Sequence, residues 1–91
     1  MKINLYSVLD SASGVNDGPV GQHNDNVALR NFKNLAENPD TPVGKNPEHF
    51  SLWYIGQYND STAELLPDTK RCLCHAIDLI NDDLSVNDKE D

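Results

Sequence analysis

The feature that most constrains the fold of this chain is a run of aromatic and branched apolar residues that ends in a polar turn. Residues 50–58 (FSLWYIGQY) suit a β-strand because such side chains fit a pleated surface, and residues 59–62 (NDST) are typical of a turn. Strand side chains alternate between two faces. We therefore expect one face to carry Phe50, Leu52, Tyr54, Gly56 and Tyr58, and the other to carry Ser51, Trp53, Ile55 and Gln57. Both faces hold large apolar groups, and residues 63–66 form the expected return strand.

Two more elements are predicted upstream of this hairpin. Residues 2–10 alternate apolar and mixed side chains, which predicts a first strand. Asn24 or Asp25 can cap a helix that runs to about Glu37, because either side-chain oxygen can accept a hydrogen bond from the first free backbone amides. Residues 11–21 contain three glycines and a proline, which predicts an irregular connection. The buried stripe of the helix is expected to hold Ala28, Phe32, Leu35 and Ala36.

The segment from residue 70 to residue 80 permits two interpretations. Leu73, Ile77 and Ile80 have helical spacing, whereas the alternation within residues 72–77 permits a strand. A strand is favoured, because a sheet needs enough strands to cover one helix. The resulting expectation is an α+β fold with a small, mostly antiparallel sheet of three or four strands and one helix packed on a face.

Acidic residues are unevenly distributed along the chain. The 91 residues carry a net charge of -8, and the last ten, residues 82–91, hold five acids and one base. That composition predicts a disordered acidic C-terminal tail, so we expect residues 1–81 to form a single α+β domain and residues 82–91 a flexible extension. The net negative charge disfavours nonspecific attraction to the phosphates of nucleic acid.

The cysteines and the N-terminal segment bear on the cellular compartment. Cys72 and Cys74 are separated by a single residue, a spacing that is poor for a mutual disulfide, so reduced thiols and a reducing cytoplasm are expected. The N-terminal segment lacks the continuous apolar run of a signal peptide, and no run approaches membrane-spanning length. The sequence predicts a soluble intracellular protein with no membrane partner.

Several blocks of the sequence, taken in order, carry a resemblance to one viral family: MKINLYSVLDSASG at 1–14, NDNVALRNF at 24–32, NPEHFSLWYIGQYND at 46–60 and the closing segment LCHAIDLI at 73–80. Together they resemble the small nonstructural protein of gokushoviruses, which are microviruses with circular single-stranded DNA genomes. Members of that family often carry bulky apolar residues after the proline that corresponds to Pro19. This chain departs from that pattern with Val20, Gly21 and Gln22.

The resemblance implies a role in phage DNA metabolism within the cytoplasm of a bacterial host. For the family, that role is a switch toward making or packaging single-stranded genomes, with DNA binding proposed. The resemblance supplies no catalytic residue to transfer to this chain. We therefore expect a non-enzymatic accessory protein that engages the phage replication initiator or a host replication factor.

The densest grouping of reactive side chains is Cys72, Cys74 and His75. Thiolate and imidazole are preferred zinc ligands, but a C-x-C-H cluster lacks the two-residue gap that lets both sulfurs close on one ion. Adjacent side chains of a strand point to opposite faces, which separates Cys74 from His75 and argues against a nucleophile and base pair. We therefore expect no metal, no cofactor and no enzymatic activity.

Two binding surfaces are candidates. Trp53 and Ile55 lie on the strand face opposite Phe50, and large apolar side chains outside a one-helix core are typical of an interface, here with a second copy or another protein. The alternative is weak single-stranded DNA binding, in which aromatic rings, including Tyr6 and Tyr54, stack on bases beside cations that contact phosphates. The candidate residues for that alternative are Arg30, Lys33, Lys45, Tyr58, Lys70 and Arg71.

Overall fold

A computed structural model describes residues 1–80 of the chain. Two long antiparallel strand pairings form the centre of its sheet. Strand β1 (Lys2–Asp10) lies beside β4 (Phe50–Asn59), and β4 lies beside β5 (Glu64–His75). Two short strands, β2 (Val15–Asn16) and β3 (Val20–Gln22), pair in succession with the other edge of β1. The described residues therefore form a five-stranded antiparallel sheet in which β5 is one edge and β2 and β3 together form the other.

The predicted α+β fold and antiparallel sheet are confirmed, although five strands form where three or four were expected. Residues 11–21, which were predicted to be irregular, supply β2 and most of β3, whereas the predicted return strand at residues 63–66 and the predicted strand from residue 70 form the single strand β5. Between the two short strands the Asp17 amide still donates to the Val8 carbonyl at 2.9 Å. Local glycine and proline content predicted a loop, but backbone pairing with β1 decides the conformation of this segment.

Helix α1 (Asp25–Glu37) packs on one face of the sheet. The Asn24 side chain accepts a hydrogen bond from the Val27 amide at 2.9 Å and caps the helix, as predicted. Three of the four predicted stripe residues are buried: Ala28, Phe32 and Ala36. The prediction for Leu35 is wrong, because Leu35 is 41% exposed. It lies at the margin of the stripe, where it lines an apolar groove of about 200 Å³ between α1 and the short β3.

The core lies between α1 and the sheet face that holds Tyr6, Leu52 and Tyr54. A short helix, α2 (Pro42–Lys45), and a 3-10 turn (Pro47–His49) lead from α1 into β4. Beyond β5, residues 76–80 are helical, and Ala76 is fully buried. The strand prediction for residues 70–80 is therefore confirmed up to His75 and wrong for residues 76–80, whose apolar side chains pack on the core with helical spacing: Ala76, Leu79 and Ile80.

An irregularity in β4 reverses the predicted alternation of its side chains. Tyr54 pairs with Tyr6, but Gly56 pairs with Leu5, so Ile55 is an extra residue on β4. Gly56 has a φ of +149°, and a Cβ atom there would lie 2.6 Å from the Leu66 carbonyl oxygen. Only glycine fits this position without displacing the backbone. Gly56 and Tyr58 consequently face away from Tyr54, whereas Gln57 shares the face of Tyr54, which corrects the predicted shared faces.

The pairing of β4 with β5 has two irregularities. Residues 68–70 of β5 lie opposite Ile55 alone, between the pairs of Tyr54 with Arg71 and Gly56 with Pro67. Cys74 pairs with Leu52, whereas Cys72 pairs with Trp53, so Leu73 is the extra residue. Cys72 and His75 therefore lie on the same face of the sheet, since their partners are Trp53 and Ser51, which are two residues apart in β4. The predicted acidic tail of residues 82–91 and the predicted domain end at residue 81 lie outside the described residues.

Candidate interaction surface

One face of the sheet is turned away from α1, and we call it the open face. The strand register places on this face Ile3, Leu5, Ser7 and Leu9 of β1, Ser51, Trp53, Gly56 and Tyr58 of β4, and Leu65, Cys72 and His75 of β5. None of these residues is an aspartate, glutamate, lysine or arginine. The register assigns no face to residues 68–70 of β5, which include Lys70, so the uncharged and largely apolar surface consists of the paired positions around Trp53.

Trp53 lies near the middle of the open face, between Ser7 of β1 and Cys72 of β5. Its indole Nε1 donates a hydrogen bond to the Ser51 hydroxyl at 2.9 Å, and the ring is half-buried. The polar atom of the indole thus has a partner within the chain. The remaining ring surface is apolar and accessible, and it lies on the opposite side of the sheet from α1.

Ile55, the second predicted interface residue, lines a groove of about 190 Å³ beside Leu5, Leu65 and Pro67. Leu5 and Leu65 belong to the open face, so the groove opens on that side of the sheet. Leu65 is 68% exposed. Trp53 and this groove together give the open face a half-buried aromatic ring and an apolar depression.

The open face also brings Cys72 and His75 together. The Cys72 Sγ lies 3.8 Å from the His75 Nε2, and both residues are exposed at the sheet edge. Cys74 points to the opposite side, where burial raises the pKa of its thiol to about 11. The expected separation of Cys74 from His75 is thus observed. The sequence did not predict that Cys72 and His75 lie close together, because regular alternation puts residues three apart on opposite faces of a strand. The extra residue Leu73 brings both side chains to the same face.

On the helix side, a chain of polar contacts joins α1 to the sheet. The Tyr6 hydroxyl donates to the Asp25 carboxylate, and both terminal nitrogens of Arg71 lie 3.3 Å from the same carboxylate. The Arg71 guanidinium lies 4.4 Å from the centre of the Tyr54 ring, and the Tyr54 hydroxyl donates to Asp68 at 3.2 Å. Burial, reinforced by the Asp25 hydrogen bond, raises the pKa of Tyr6 to about 12. These contacts position the first turn of α1 against the sheet.

The structure does not bring the candidate DNA-binding residues to one surface. Tyr58 lies on the open face, whereas Arg71 pairs with Asp25 on the helix side. Tyr6 and Tyr54, which were candidate stacking rings, are buried in the core. The remaining cations are spread over three elements: Arg30 and Lys33 on α1, Lys45 at the end of α2, and Lys70 on β5.

Residues 1–80 contain neither a metal-binding cluster within one copy nor a membrane-spanning helix. Within a single copy of this part of the chain, no group of three or more His, Cys, Asp or Glu side chains is arranged to hold a metal ion. Over the same residues, no helix combines the length and apolar character needed to cross a bilayer.

The fold and this surface define a small α+β protein with a buried helix-side core and an exposed, uncharged sheet face. The chain belongs to the Phage ORF5 protein family, whose model matches residues 3–79. No curated protein and no solved structure matches the chain. The family match confirms a small phage protein, and it is compatible with the narrower assignment to gokushoviruses, which stays a prediction.

Proposed function

We propose that this chain is a non-enzymatic accessory protein of phage DNA replication that acts in the host bacterial cytoplasm through protein contacts made by the open face. Its role would lie in the switch toward synthesis or packaging of single-stranded genomes. The observation that carries the proposal is the set of uncharged paired positions around Trp53, in a chain whose net charge is -8. Contiguous apolar surface of this kind is typical of protein interaction sites.

The charge distribution favours a protein partner over nucleic acid. Binding to single-stranded DNA depends on cations that neutralise phosphates beside the stacking rings. Trp53 and Tyr58 are rings on the open face, and no paired position beside them holds a lysine or arginine, while Lys70 lies in the unpaired stretch of β5. A second copy of the chain, the phage replication initiator or a host replication factor would each cover this face with apolar contacts.

A homodimer is the first partner to test, because a two-fold axis would place the apolar residues of one open face against those of the other. Aromatic anchors near the centre of an interface contribute most of the binding free energy in many complexes. Trp53 has that central position, and the groove beside Ile55 and Leu65 offers a depression for an apolar side chain of the second copy. We therefore expect reversible self-association.

Leu65→Asp tests the open face with little risk to folding, because Leu65 is 68% exposed in the single chain. The expected result in sedimentation velocity is a shift of the variant toward the monomer relative to the unsubstituted protein. Val15→Asp is the matched control, since Val15 is 60% exposed and pairs with Asp10, away from the open face. Equal association of Leu65→Asp, Val15→Asp and the unsubstituted protein would contradict the assigned surface.

The role in replication needs a test in infected cells. A phage lacking this gene should make double-stranded replicative DNA and accumulate less single-stranded genome. Complementation with the unsubstituted gene should restore the single-stranded product, whereas the Leu65→Asp gene should not. Normal synthesis of both DNA forms without the gene would rule out the proposed role, and binding of a labelled oligonucleotide to the purified protein at low salt would favour direct DNA binding instead.

A further inference from the structure

The Cys72 and His75 pair has the geometry of half a zinc site. Zinc binds thiolate sulfur at about 2.3 Å and imidazole nitrogen at about 2.0–2.1 Å in tetrahedral sites, which separates a sulfur and a nitrogen ligand by about 3.5–3.6 Å. The Cys72 Sγ and the His75 Nε2 are 3.8 Å apart. A small side-chain adjustment would let both atoms contact one ion.

Cys72 and His75 lie where a second molecule could supply the two further ligands of a zinc site. Both residues are exposed and lie on β5, and among residues 1–80 no strand other than β4 pairs with β5. Within residues 1–80 of a single copy, no group of three or more potential ligands is arranged around one ion, whereas structural zinc sites have four ligands. Two-fold symmetry would bring a second Cys72 and a second His75, which completes a two-cysteine, two-histidine set.

We propose that two copies of this chain share one zinc ion through Cys72 and His75 of each copy. This inference rests on the proposed self-association, because Cys72 is the direct cross-strand neighbour of Trp53 on the open face. The site would lie at the border of the dimer contact and would fix how the two sheets are oriented. Metal supply would then regulate assembly of the protein.

The chemistry of binding balances without an oxidant or reductant. Each Cys72 thiol loses one proton to solvent and forms a bond from sulfur to zinc, while each His75 binds through the lone pair of neutral Nε2. Two thiolates neutralise the charge of the Zn²⁺ ion, so the filled site has no net charge. A site built from one cysteine and three histidines would instead leave one positive charge on the site.

The test is a titration of the reduced full-length protein with Zn²⁺ alone, followed by native mass spectrometry and sedimentation velocity. The expected result is one zinc ion for every two chains, with the mass of a dimer. Cys72→Ser and His75→Asn should each lose this stoichiometric binding. Cys74→Ser and His49→Asn are the matched controls and should retain it, since Cys74 points to the helix side and His49 precedes β4.

Substitution of Co²⁺ for zinc supplies a direct readout of the ligands. A tetrahedral site with thiolate ligands should give visible absorption bands and a sulfur-to-cobalt charge-transfer band, both absent in Cys72→Ser. Zinc binding by Cys72→Ser with unchanged stoichiometry, one ion per monomeric chain, or no binding by the unsubstituted protein would each overturn the inference. A dimer that forms equally with Zn²⁺ and with chelator, without bound metal, would overturn only the zinc site and leave the proposed open-face contact standing.

Discussion

Gly56→Ala should be among the most destabilising single-methyl additions in this protein. The native φ of +149° is strained for alanine, which costs about 1–3 kcal/mol. The added Cβ would also lie 2.6 Å from the Leu66 carbonyl oxygen and 3.1 Å from the Pro67 Cα. Relief of this overlap requires the β4 and β5 backbones to separate, and overpacking of that kind costs about 1–3 kcal/mol more.

The sum of about 2–6 kcal/mol is large compared with the total stability expected for a domain of this size, about 5–14 kcal/mol at 0.05–0.15 kcal/mol per residue. Urea unfolding followed by the fluorescence of Trp53 measures the difference in free energy of unfolding. Because the extra residue in β4 turns Tyr58 to the open face, the same substitution should also weaken self-association.

Substitutions at two other glycines separate backbone strain from steric overlap as causes of the lower stability of Gly56→Ala. Gly14→Ala has a φ of +74° but no neighbouring atom within 4 Å, so it should show only the backbone strain of about 1–2 kcal/mol. Gly18→Ala meets open space and lies outside the left-handed region, so it should change stability by less than about 1 kcal/mol. If Gly56→Ala unfolds at the same urea concentration as Gly18→Ala, the irregularity in β4 does not have the geometry described.

Three further outcomes follow from the core, the helix cap and the buried tyrosine. Phe32→Ala should lower the free energy of unfolding by about 3–5 kcal/mol in urea titrations, because it leaves a cavity beneath α1. Asn24→Ala should cost about 1 kcal/mol, measured in the same way, because the Val27 amide loses its acceptor. The folded pKa of Tyr6, about 12, lies above its ordinary value of 10.0, so the stabilisation is complete below pH 10 and is lost as the pH rises toward 12. Tyr6→Phe should flatten this alkaline decline, which amounts to about 2.7 kcal/mol for a two-unit shift, and an equally steep decline in the variant would exclude Tyr6 as its source.

Local patterns predicted the elements whose conformation depends on nearby residues. The first strand, the Asn24 cap and the buried positions Ala28 and Phe32 follow from alternation, capping chemistry and helical spacing, and all are observed. Phe50 was expected near the core with Leu52 and Tyr54, and it packs against the core cluster. These features are set by contacts between residues that are close in the sequence or by one continuous apolar stripe.

The features that sequence patterns missed depend on pairing between distant segments. Ile55 shifts the register of β4 against β1, and Leu73 and residues 68–70 shift the register of β5 against β4; alternation rules assume that no such residues exist. Gly56 was the available signal for the first, since glycine inside a strand pattern often marks an irregularity or a close backbone approach. The extra residue Leu73 has no comparable signal in the sequence. The proximity of Cys72 and His75 can therefore be seen only in the pairing of β5 with β4.

The most direct test of the account is the emission of Trp53, the sole tryptophan, recorded over a dilution series of the reduced protein. Trp53 is half-buried and accessible in the single chain, so covering the open face by a second copy should shift its emission to shorter wavelength as concentration rises. Leu65→Asp should move this transition to higher concentration, and Val15→Asp should not. Emission that stays constant over the whole range, in a protein that sediments as a monomer throughout, would contradict self-association through the open face.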